Sequence, residues 1–229
     1  MAEFYAARPP YPAALVDALA DLAGPAGSRV GDVGAGIGHL ALPLAARGFD
    51  VVAIDAAQAM LDQLRAAAAE RGIALRALHA AAEQLPLEPA CLDLVVVADA
   101  LHFLDTELTA GQIARVLAPR GALALVTCRP GDTPFMRELG RIIDESVPRR
   151  PSRLASPIQH VAALTRVELG GELSFHDETP VDHATLDRIL RSISFIGPAM
   201  NPARFAAFEA RSTSRPSEAR RRPSRSRRS

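Results

Sequence analysis

The chain has 229 residues, and 48% of them are apolar, so it can bury the core of one α/β domain. It contains no stretch of about 18 apolar residues, so we expect no transmembrane helix. The N-terminus lacks a basic segment followed by an apolar one, so we expect no signal peptide and a cytoplasmic location. The two cysteines, Cys91 and Cys128, lack metal-ligand spacing and are predicted to be reduced core residues.

The net charge of zero hides an uneven distribution, because residues 211–229 hold eight Arg and one Glu. The rest of the chain carries 18 Arg against 25 acidic side chains, a net charge of −7. This Arg/Ser tail has too few apolar residues to fold and is predicted to be disordered. Its Arg side chains could bind phosphates, but no aromatic residues accompany them for base stacking, so no nucleic-acid partner is expected.

Strands and helices alternate along the first 128 residues. Apolar residues at helical spacing predict a first helix at Ala13–Ala23. The elements predicted after it are, in order, a strand at Ser28–Val33, a helix at His39–Arg47, a strand at Val51–Ile54, a helix at Ala57–Arg71, strands at Leu75–Ala80 and Leu92–Ala98, a helix at Leu108–Leu117, a turn at Pro119–Gly121 and a strand at Ala122–Cys128. Such alternation predicts a parallel, doubly wound α/β sheet with right-handed crossovers.

The pattern loosens after Pro130. The elements predicted there are a helix at Phe135–Ser146, a Pro- and Arg-rich loop at Pro148–Pro157, a strand at Glu172–Val181, and helices at Ala184–Ser194 and Pro202–Ala210. We therefore expect an N-terminal cap segment and ligand-binding core in residues 1–130. Residues 131–210 are expected to complete the same domain and cover the substrate, and the tail follows them.

Three glycines stand at alternate positions directly after the first predicted strand. Gly34 permits a tight turn, Gly36 lets a ligand touch the backbone, and Gly38 lets the next helix pack closely. The dinucleotide fingerprint is G-x-G-x-x-G, and His39 stands where its last glycine would be, which argues against a dinucleotide-dependent dehydrogenase. Asp32 would repel a pyrophosphate but can accept hydrogen bonds from an ammonium group. The loop therefore predicts a nucleoside ligand that carries an amino acid.

Asp55 ends the second predicted strand, 21 positions after Gly34. A carboxylate at this place can bind both hydroxyls of a ribose. The alternative is that the glycines form only a turn and that Asp55 only caps the following helix.

Four segments of the chain resemble, in order, the motifs of the class I S-adenosylmethionine-dependent methyltransferases. They are DVGAGIG, VVAIDAAQAML, AAEQLPLEPACLDLVVVADALHFLD and RVLAPRGAL, and the resemblance covers residues 4–128. It implies a Rossmann-like, doubly wound and mainly parallel sheet, S-adenosyl-L-methionine as the cofactor, and transfer of a methyl group.

The resemblance also implies which residues bind the cofactor. Asp32 would face the ammonium group of the cofactor, and Asp55 would hold its ribose. Gly34 and Gly36 would lie under the cofactor, in the loop that Gly38 completes. Ala81 and Ala82 would border the adenine, and Ala98 would flank the bound ligand.

The chain departs from the family pattern in three places. Many relatives carry Asp or Asn where this chain has Ala81, so selectivity for the adenine amino group must rest on backbone groups. Arg120 replaces a glycine of the family's PGG turn, which a type I turn tolerates and a type II turn does not. The family usually ends its sheet with an antiparallel strand, but residues 211–229 contain no Val, Ile, Phe or Tyr. That strand is therefore predicted to be missing, which would leave the edge of the fifth strand bare.

The segment FYAARPPYP resembles the N-terminal segment of small-molecule methyltransferases similar to trans-aconitate methyltransferase, where it lies over the cofactor. Tyr5, Arg8 and Tyr11 are therefore candidate substrate residues, and two aromatic rings with one Arg suit a small acid or phenol. The alternative is that Arg8 and Tyr11 only pack against the next helix.

The segment ADALHFLD follows the fourth predicted strand, at the edge where open α/β sheets bind ligands. His102 could remove a proton from a substrate hydroxyl or amine, and Asp99 could orient His102 or the substrate. The alternative is that His102 only packs against or caps a helix. The His and acidic residues between His176 and His183 match no standard metal-site spacing, so no metal is expected.

These patterns together predict an enzyme that methylates a small molecule, with no nucleic-acid or membrane partner, and they leave the oligomeric state open. The alternative is a degenerate protein that binds S-adenosylmethionine without turnover.

Overall fold

The computed structural model describes residues 2–129, 131–146, 157–165, 167–168, 170–193, 196, 203, 205–206, 208 and 210. The helices are α1 (Ala2–Tyr5), α2 (Ala13–Ala23), α3 (Ala41–Ala46), α4 (Gln58–Glu70), α5 (Thr106–Val116), α6 (Pro134–Ser146), α7 (Pro157–Thr165) and α8 (His183–Ser192). The strands are β1 (Arg29–Val33), β2 (Asp50–Asp55), β3 (Arg76–His79), β4 (Leu92–Ala98) and β5 (Leu117–Val126). A 3₁₀ turn, Leu101–Phe103, lies between β4 and α5.

The five strands form one parallel sheet in the order β3-β2-β1-β4-β5. The central strand β4 is apolar on both faces. Leu94 and Val96 pack in a buried cluster with α2 and α3, while Val95 and Val97 pack in another with α5. Both faces of the sheet are therefore covered by helices, as the continuous apolar run predicts. The predicted doubly wound α/β fold is confirmed.

The strand order reverses at the centre of the sheet, because β1 has both β2 and β4 as neighbours. At such a point the loops that follow the two strands lead away in opposite directions and leave a crevice at the carboxyl edge of the sheet. The loops after β1 and β4 therefore frame the candidate functional site.

All five strands of the sheet were predicted from the sequence, and β4 has the predicted bounds. The turn predicted at Pro119–Gly121 is wrong, because β5 runs through these residues. The β4–β5 register is irregular there: Leu92 pairs with Leu117 and Leu94 with Ala122, so β5 advances five positions against two of β4. The extra residues of β5 form a bulge in the strand and not a turn before it.

Two other predictions are wrong. The segment Glu172–Val181 is not a strand; it is mostly exposed, with Leu173 74% exposed, and no strand of the described residues pairs with it. A single extended segment cannot satisfy its backbone groups without a partner strand. Cys128 is exposed and not in the core, because it lies beyond the end of β5, whereas Cys91 is half-buried.

The sequence patterns do not predict α1 or α7. The α1 helix has only four residues, too few to show a helical period, whereas α7 places Ile158, Val161 and Ala162 at helical spacing and was missed. The α7 helix packs against α5, where Val161 shares a buried cluster with Ala110 and Ile113.

The chain divides into two compact units. The larger unit contains the sheet, the helices on its faces and α7. The smaller unit contains α6 and α8, whose buried apolar side chains form a cluster with Phe205 and Phe208. The described residues between 203 and 210 are helical, in agreement with the predicted last helix. None of the described helices has the length and apolarity that a membrane crossing requires.

Several predictions for the second half of the chain are untested. The predicted loop at Pro148–Pro157 lies almost wholly outside the described residues, as does the predicted disorder of residues 211–229. Within the described residues, no strand follows β5. That residues 131–210 complete the domain and cover a substrate stays a prediction.

Replacement of Gly121 by Ala should destabilise the sheet. A Cβ at this position would lie 2.9 Å from the Leu92 carbonyl oxygen and 2.8 Å from Leu117 Cδ1. The carbonyl belongs to the backbone of β4 and cannot move away without disturbing the β4–β5 pairing. We expect the free energy of unfolding, measured by urea denaturation, to fall by about 1–3 kcal/mol.

Gly111→Ala is the matched control. Gly111 is exposed in the interior of α5, and no atom lies within 4 Å of the Cβ that the substitution adds. Since Ala forms helix better than Gly, this variant should be more stable than the wild type by about 0.5–1 kcal/mol. Equal effects of the two substitutions would contradict the packing argument.

Candidate functional site

The loop between β1 and α3 is shaped by its glycines. Gly34 and Gly36 have φ angles of +77° and +56°, left-handed values that favour glycine. A Cβ at Gly34 would lie only 2.5 Å from Ala100 Cβ, so the loop has no room for a side chain there. A Cβ at Gly38 would lie 3.0 Å from Leu64 Cδ1, so this glycine brings the loop close to α4. The loop therefore presents bare backbone at the edge of the sheet.

The Asp55 carboxylate joins two loops at the end of β2. Its Oδ2 accepts a hydrogen bond of 2.8 Å from the Gly36 N–H, and its Oδ1 accepts one of 2.8 Å from the Ala57 N–H. The bond from the Ala57 N–H, just before α4, is the one expected if Asp55 caps this helix, which is the alternative role named above. A carboxylate has about four acceptor positions, and Asp55 is only half-buried, so it can accept further hydrogen bonds from a ligand.

Asp32 is a buried acid, 2% exposed, whose carboxylate accepts a hydrogen bond from the Ala41 N–H at the start of α3. Burial raises the pKa of Asp32 to about 7; the Ala41 N–H opposes the rise, and the Asp55 carboxylate adds to it. A cation placed beside Asp32 would favour its ionised form. That Asp32 faces an ammonium group stays a prediction.

The N-terminal cap segment, residues 2–12, meets the glycine loop through Tyr5. A Cβ at Gly36 would lie 3.5 Å from Tyr5 Cε1, and the Tyr5 ring meets the His39 ring edge-on with 6.2 Å between centroids. The Arg8 guanidinium lies over the Tyr5 ring at 4.1 Å and donates a hydrogen bond of 3.1 Å to its hydroxyl. Burial raises the pKa of Tyr5, so its hydroxyl stays protonated. Tyr5 and Arg8 thus form one unit beside the loop.

Tyr11 connects the cap segment to the end of β4. Its hydroxyl donates a hydrogen bond of 2.9 Å to Asp99 Oδ2, and Asp99 Oδ1 accepts one of 2.7 Å from the Cys128 N–H. Asp99 has a φ of +49°, uncommon for a residue other than glycine, and its own N–H donates to the Val126 carbonyl at 2.9 Å. Burial and the Asp99 carboxylate raise the pKa of Tyr11, so its hydroxyl remains a donor.

His102 lies in the 3₁₀ turn after β4. Its ring is exposed and stands 3.9 Å from the Phe103 ring, centroid to centroid, which agrees with the packing alternative. Partial burial lowers the pKa of His102, the Asp99 carboxylate opposes this change, and the Arg8 guanidinium adds to it. The imidazole is therefore neutral at pH 7 and able to accept a proton. Its role as a base stays a prediction.

The three predicted alanines lie at the same edge of the sheet. Ala98 is the last residue of β4 and is half-buried. Ala81 is exposed and Ala82 is buried in the loop after β3, where the Gln84 N–H donates to the Ala81 carbonyl at 3.1 Å. The carboxyl ends of four strands thus bring the predicted cofactor-binding residues to one edge of the sheet, where the cap segment adds Tyr5 and Tyr11.

Two groups in this region are not indicated by the sequence motifs. The Cys128 N–H binds Asp99, and the Arg115 guanidinium binds the loop that contains Ala81. Gln112 and Arg115 lie three residues apart on the predicted helix, which places them on one face. Arg115 also opens the fourth motif, RVLAPRGAL, but neither pattern indicates its contact with the loop.

Replacement of Asp32 by Asn should change how stability depends on pH. The pKa of Asp32 is raised in the folded chain, so the unfolded chain binds fewer protons at this site between about pH 4 and pH 7. The favourable contribution of the neutral carboxyl is complete below about pH 4 and is lost as the pH rises to about 7. Urea denaturation should show the wild type losing up to about 1.4 kcal/mol per pH unit relative to the variant. A stability difference that is constant across this range would contradict the raised pKa.

Comparisons with known proteins identify a methyltransferase domain in this chain. Residues 31–125 match a sequence family described as a methyltransferase domain. An uncharacterized methyltransferase of Mycobacterium tuberculosis is 43% identical over 137 residues, which make up 59% of this chain and 54% of that protein. The demethylmenaquinone methyltransferase of Thermus thermophilus is 39% identical over 105 residues, 44% of this chain and 48% of that protein. The chain spans about half the length of these curated relatives.

Solved structures share the fold. The YcgJ protein of Bacillus subtilis is 27% identical, with a TM-score of 0.51 over 66% of this chain and 66% of that one. A geranyl diphosphate methyltransferase in complex with S-adenosylmethionine is 18% identical, with a TM-score of 0.52 over 67% and 64% of the two chains, and supports the fold alone. Residues 31–125 therefore form a methyltransferase domain, and this part of the chain resembles the class I S-adenosylmethionine-dependent methyltransferases.

Proposed function

We propose that this chain binds S-adenosylmethionine at the carboxyl edge of its sheet and transfers the methyl group to a small acid or phenol. The observation that carries the proposal is the junction of Gly36 and Asp55, where a bare glycine backbone lies beside a carboxylate within a methyltransferase domain. We also propose a cytoplasmic location, since Cys91 and Cys128 are both free thiols.

The residues at this edge fit the cofactor. Gly34 has no space for a side chain, because a Cβ there would lie 2.5 Å from Ala100 Cβ. The loop therefore keeps a bare glycine backbone, which a ligand can approach closely. Asp55 keeps acceptor positions for hydroxyl groups, and the Asp32 carboxylate is stabilised in its ionised form by a cation. When bound, the cofactor supplies a methyl group already activated on a sulfonium centre. The chain's task is then to orient the reactants and exclude water.

Each cofactor-binding residue takes the part of the molecule that its chemistry suits. Asp32 binds the ammonium group, and Asp55 accepts from the ribose hydroxyls. Ala81 and Ala82 border the adenine, which only their backbone groups can bind. Gly34, Gly36 and Gly38 carry the loop beneath the ligand, and Ala98 flanks it.

The acceptor binds where the cap segment meets the end of β4. Tyr5 and Tyr11 offer aromatic surface, and the Arg8 guanidinium offers a positive charge to an acid or a phenolate. Both oxygens of Asp99 are engaged, by Tyr11 and by the Cys128 N–H, so Asp99 orients the pocket.

His102 acts as the base for a phenol. A carboxylate acceptor is already ionised at neutral pH and needs no base, whereas a phenol with a pKa near 10 is protonated. The lowered pKa of His102 keeps its imidazole neutral and ready to take that proton.

Replacement of Asp55 by Asn should weaken binding of S-adenosylhomocysteine, the demethylated cofactor. Asn keeps one oxygen but loses the second acceptor and the charge, so the ribose hydroxyls lose charge-assisted hydrogen bonds. We expect the binding free energy, measured by titration calorimetry, to become less favourable by about 1.5–3 kcal/mol.

Asp62→Asn is the matched control, because Asp62 is an exposed acid on α4 that pairs with Arg65 away from the glycine loop. Its substitution should leave the affinity unchanged. Equal affinity of the Asp55 variant and the wild type would rule out the ribose assignment.

Replacement of His102 by Gln should lower the rate of methyl transfer to phenols while cofactor affinity stays the same. The measurement is transfer of labelled methyl from S-adenosylmethionine to a panel of small phenols and carboxylic acids. We expect a loss of about 10²–10⁴-fold in kcat for a phenol, the range typical of general bases, and little loss for a carboxylic acid. In the wild type, the rate with a phenol should fall as the pH drops through the lowered pKa of His102.

The panel also tests the reaction itself. Transfer to no acid or phenol, with cofactor binding intact, would support the alternative of a binding protein without turnover. An unchanged rate in the His102 variant would place the base elsewhere.

A further inference from the structure

The loop that connects β3 to β4, residues 80–91, has turns but no helix or strand, and two side chains of α5 bind its middle. Arg115 on α5 donates from Nη1 to the Leu87 carbonyl at 2.6 Å and from Nη2 to the Leu85 carbonyl at 2.7 Å. The Gln112 Oε1 accepts from Arg115 Nη2 at 2.8 Å and from the Leu85 N–H at 3.3 Å. Arg115 and Gln112 therefore hold Leu85 through both its N–H and its carbonyl.

The ends of the loop are fixed by backbone hydrogen bonds. At its start, the Ala80 N–H donates to the Asp55 carbonyl at 3.2 Å, and at its end the Ala90 N–H donates to the Arg115 carbonyl at 2.9 Å. Between these ends, the Gln84 N–H donates to the Ala81 carbonyl within the loop, and the bonds to Leu85 and Leu87 from outside the loop come from side chains. Arg115 is half-buried, and its charge strengthens hydrogen bonds to carbonyl groups in such surroundings.

The position of this loop bears on recognition of the adenine. Ala81 has no polar side chain, so any discrimination of the adenine amino group rests on backbone groups of the loop. Backbone groups discriminate only if they are held in place, because a displaced donor or acceptor loses its hydrogen bond. Ala82 and Leu85, which are 5% and 3% exposed, anchor this part of the loop in the core.

We propose that Arg115, supported by Gln112, is a positioning residue that sets the backbone of residues 81–85 for selective binding of the adenine base. This inference rests on the proposed function, since it assumes that the ligand is an adenine nucleoside bound at this loop. Arg suits the role because its planar fork reaches two carbonyls at once, whereas a Lys ammonium acts as a single point charge.

The test is titration calorimetry with two ligands, S-adenosylhomocysteine and S-inosylhomocysteine, in which a carbonyl replaces the adenine amino group. The wild type should bind the adenine compound more tightly. Arg115→Lys should bind it about tenfold more weakly, the loss expected when hydrogen bonds to a charged group no longer hold the loop. The ratio of the affinities for S-adenosylhomocysteine and S-inosylhomocysteine should also fall in this variant. A general loss of stability would not change that ratio.

Gln112 supplies the second pair of variants, which test the same loop if Arg115→Lys does not fold. Gln112→Met removes the oxygen that binds Arg115 and the Leu85 N–H, and should lose selectivity in the same way. Gln112→Glu keeps an acceptor oxygen and should retain it. The control is Arg65→Lys: Arg65 donates to the Ala77 carbonyl of β3 at 2.9 Å, so it is an Arg–carbonyl contact outside the loop, and its substitution should change neither affinity.

The outcomes separate the two proposals. A wild type that binds neither compound would overturn the proposed function. A wild type that prefers adenine, with Arg115→Lys and Gln112→Met keeping both the affinity and the preference, would overturn the positioning role alone. Loss of the preference in these variants, but not in Arg65→Lys, supports it.

Discussion

The hydrogen bond from the Gly36 N–H to the Asp55 carboxylate is the interaction on which the candidate site depends. It joins the loops that follow two adjacent parallel strands, β1 and β2. The N–H groups of Gly34 and Ala35 both donate to the Ile54 carbonyl, at 2.8 and 3.0 Å, so the glycine loop folds back over the end of β2. A side chain at Gly34 would collide with Ala100 and open this turn. The absence of a Cβ at Gly34 thus lets the glycine loop reach the Asp55 carboxylate.

The same edge of the sheet carries an electrostatic cost. Asp32 is buried near Asp55, and both burial and the neighbouring charge raise its pKa. The Ala41 N–H offsets part of this cost, and a cationic ligand would offset more. A ligand with an ammonium group would therefore bind with release of a proton near neutral pH and would stabilise the folded chain at the same time. Acidic residues at this edge make the proposed cofactor a better partner than a dinucleotide, whose pyrophosphate they would repel.

The parts of this molecule that the sequence predicts are those that local chemistry determines. Glycines with left-handed φ, an acid at a strand end and a continuous apolar strand each depend on neighbours within a few residues, so the sheet and the glycine loop could be predicted. The contact of Tyr11 with Asp99, 88 positions apart, depends on the whole fold and has no local signal. At Glu172–Val181 a local pattern was misleading: its residues suit a strand, but no described strand pairs with it, so the predicted strand is wrong. Arg115 acts on a loop about 30 residues before it, which no periodic pattern reveals.

Three separate segments meet at Asp99, where we propose that the acceptor binds. Its φ of +49° costs free energy, of order 1 kcal/mol or more, and persists only where surrounding bonds over-determine it. Those bonds come from Val126 and Cys128 at the end of β5 and from Tyr11 in the cap segment. The end of β5 and the cap segment therefore stabilise the same strained residue, and release of Tyr11 removes one of its supports. The acceptor pocket that we propose therefore depends on the Tyr11–Asp99 hydrogen bond, which links the cap segment to the end of β4.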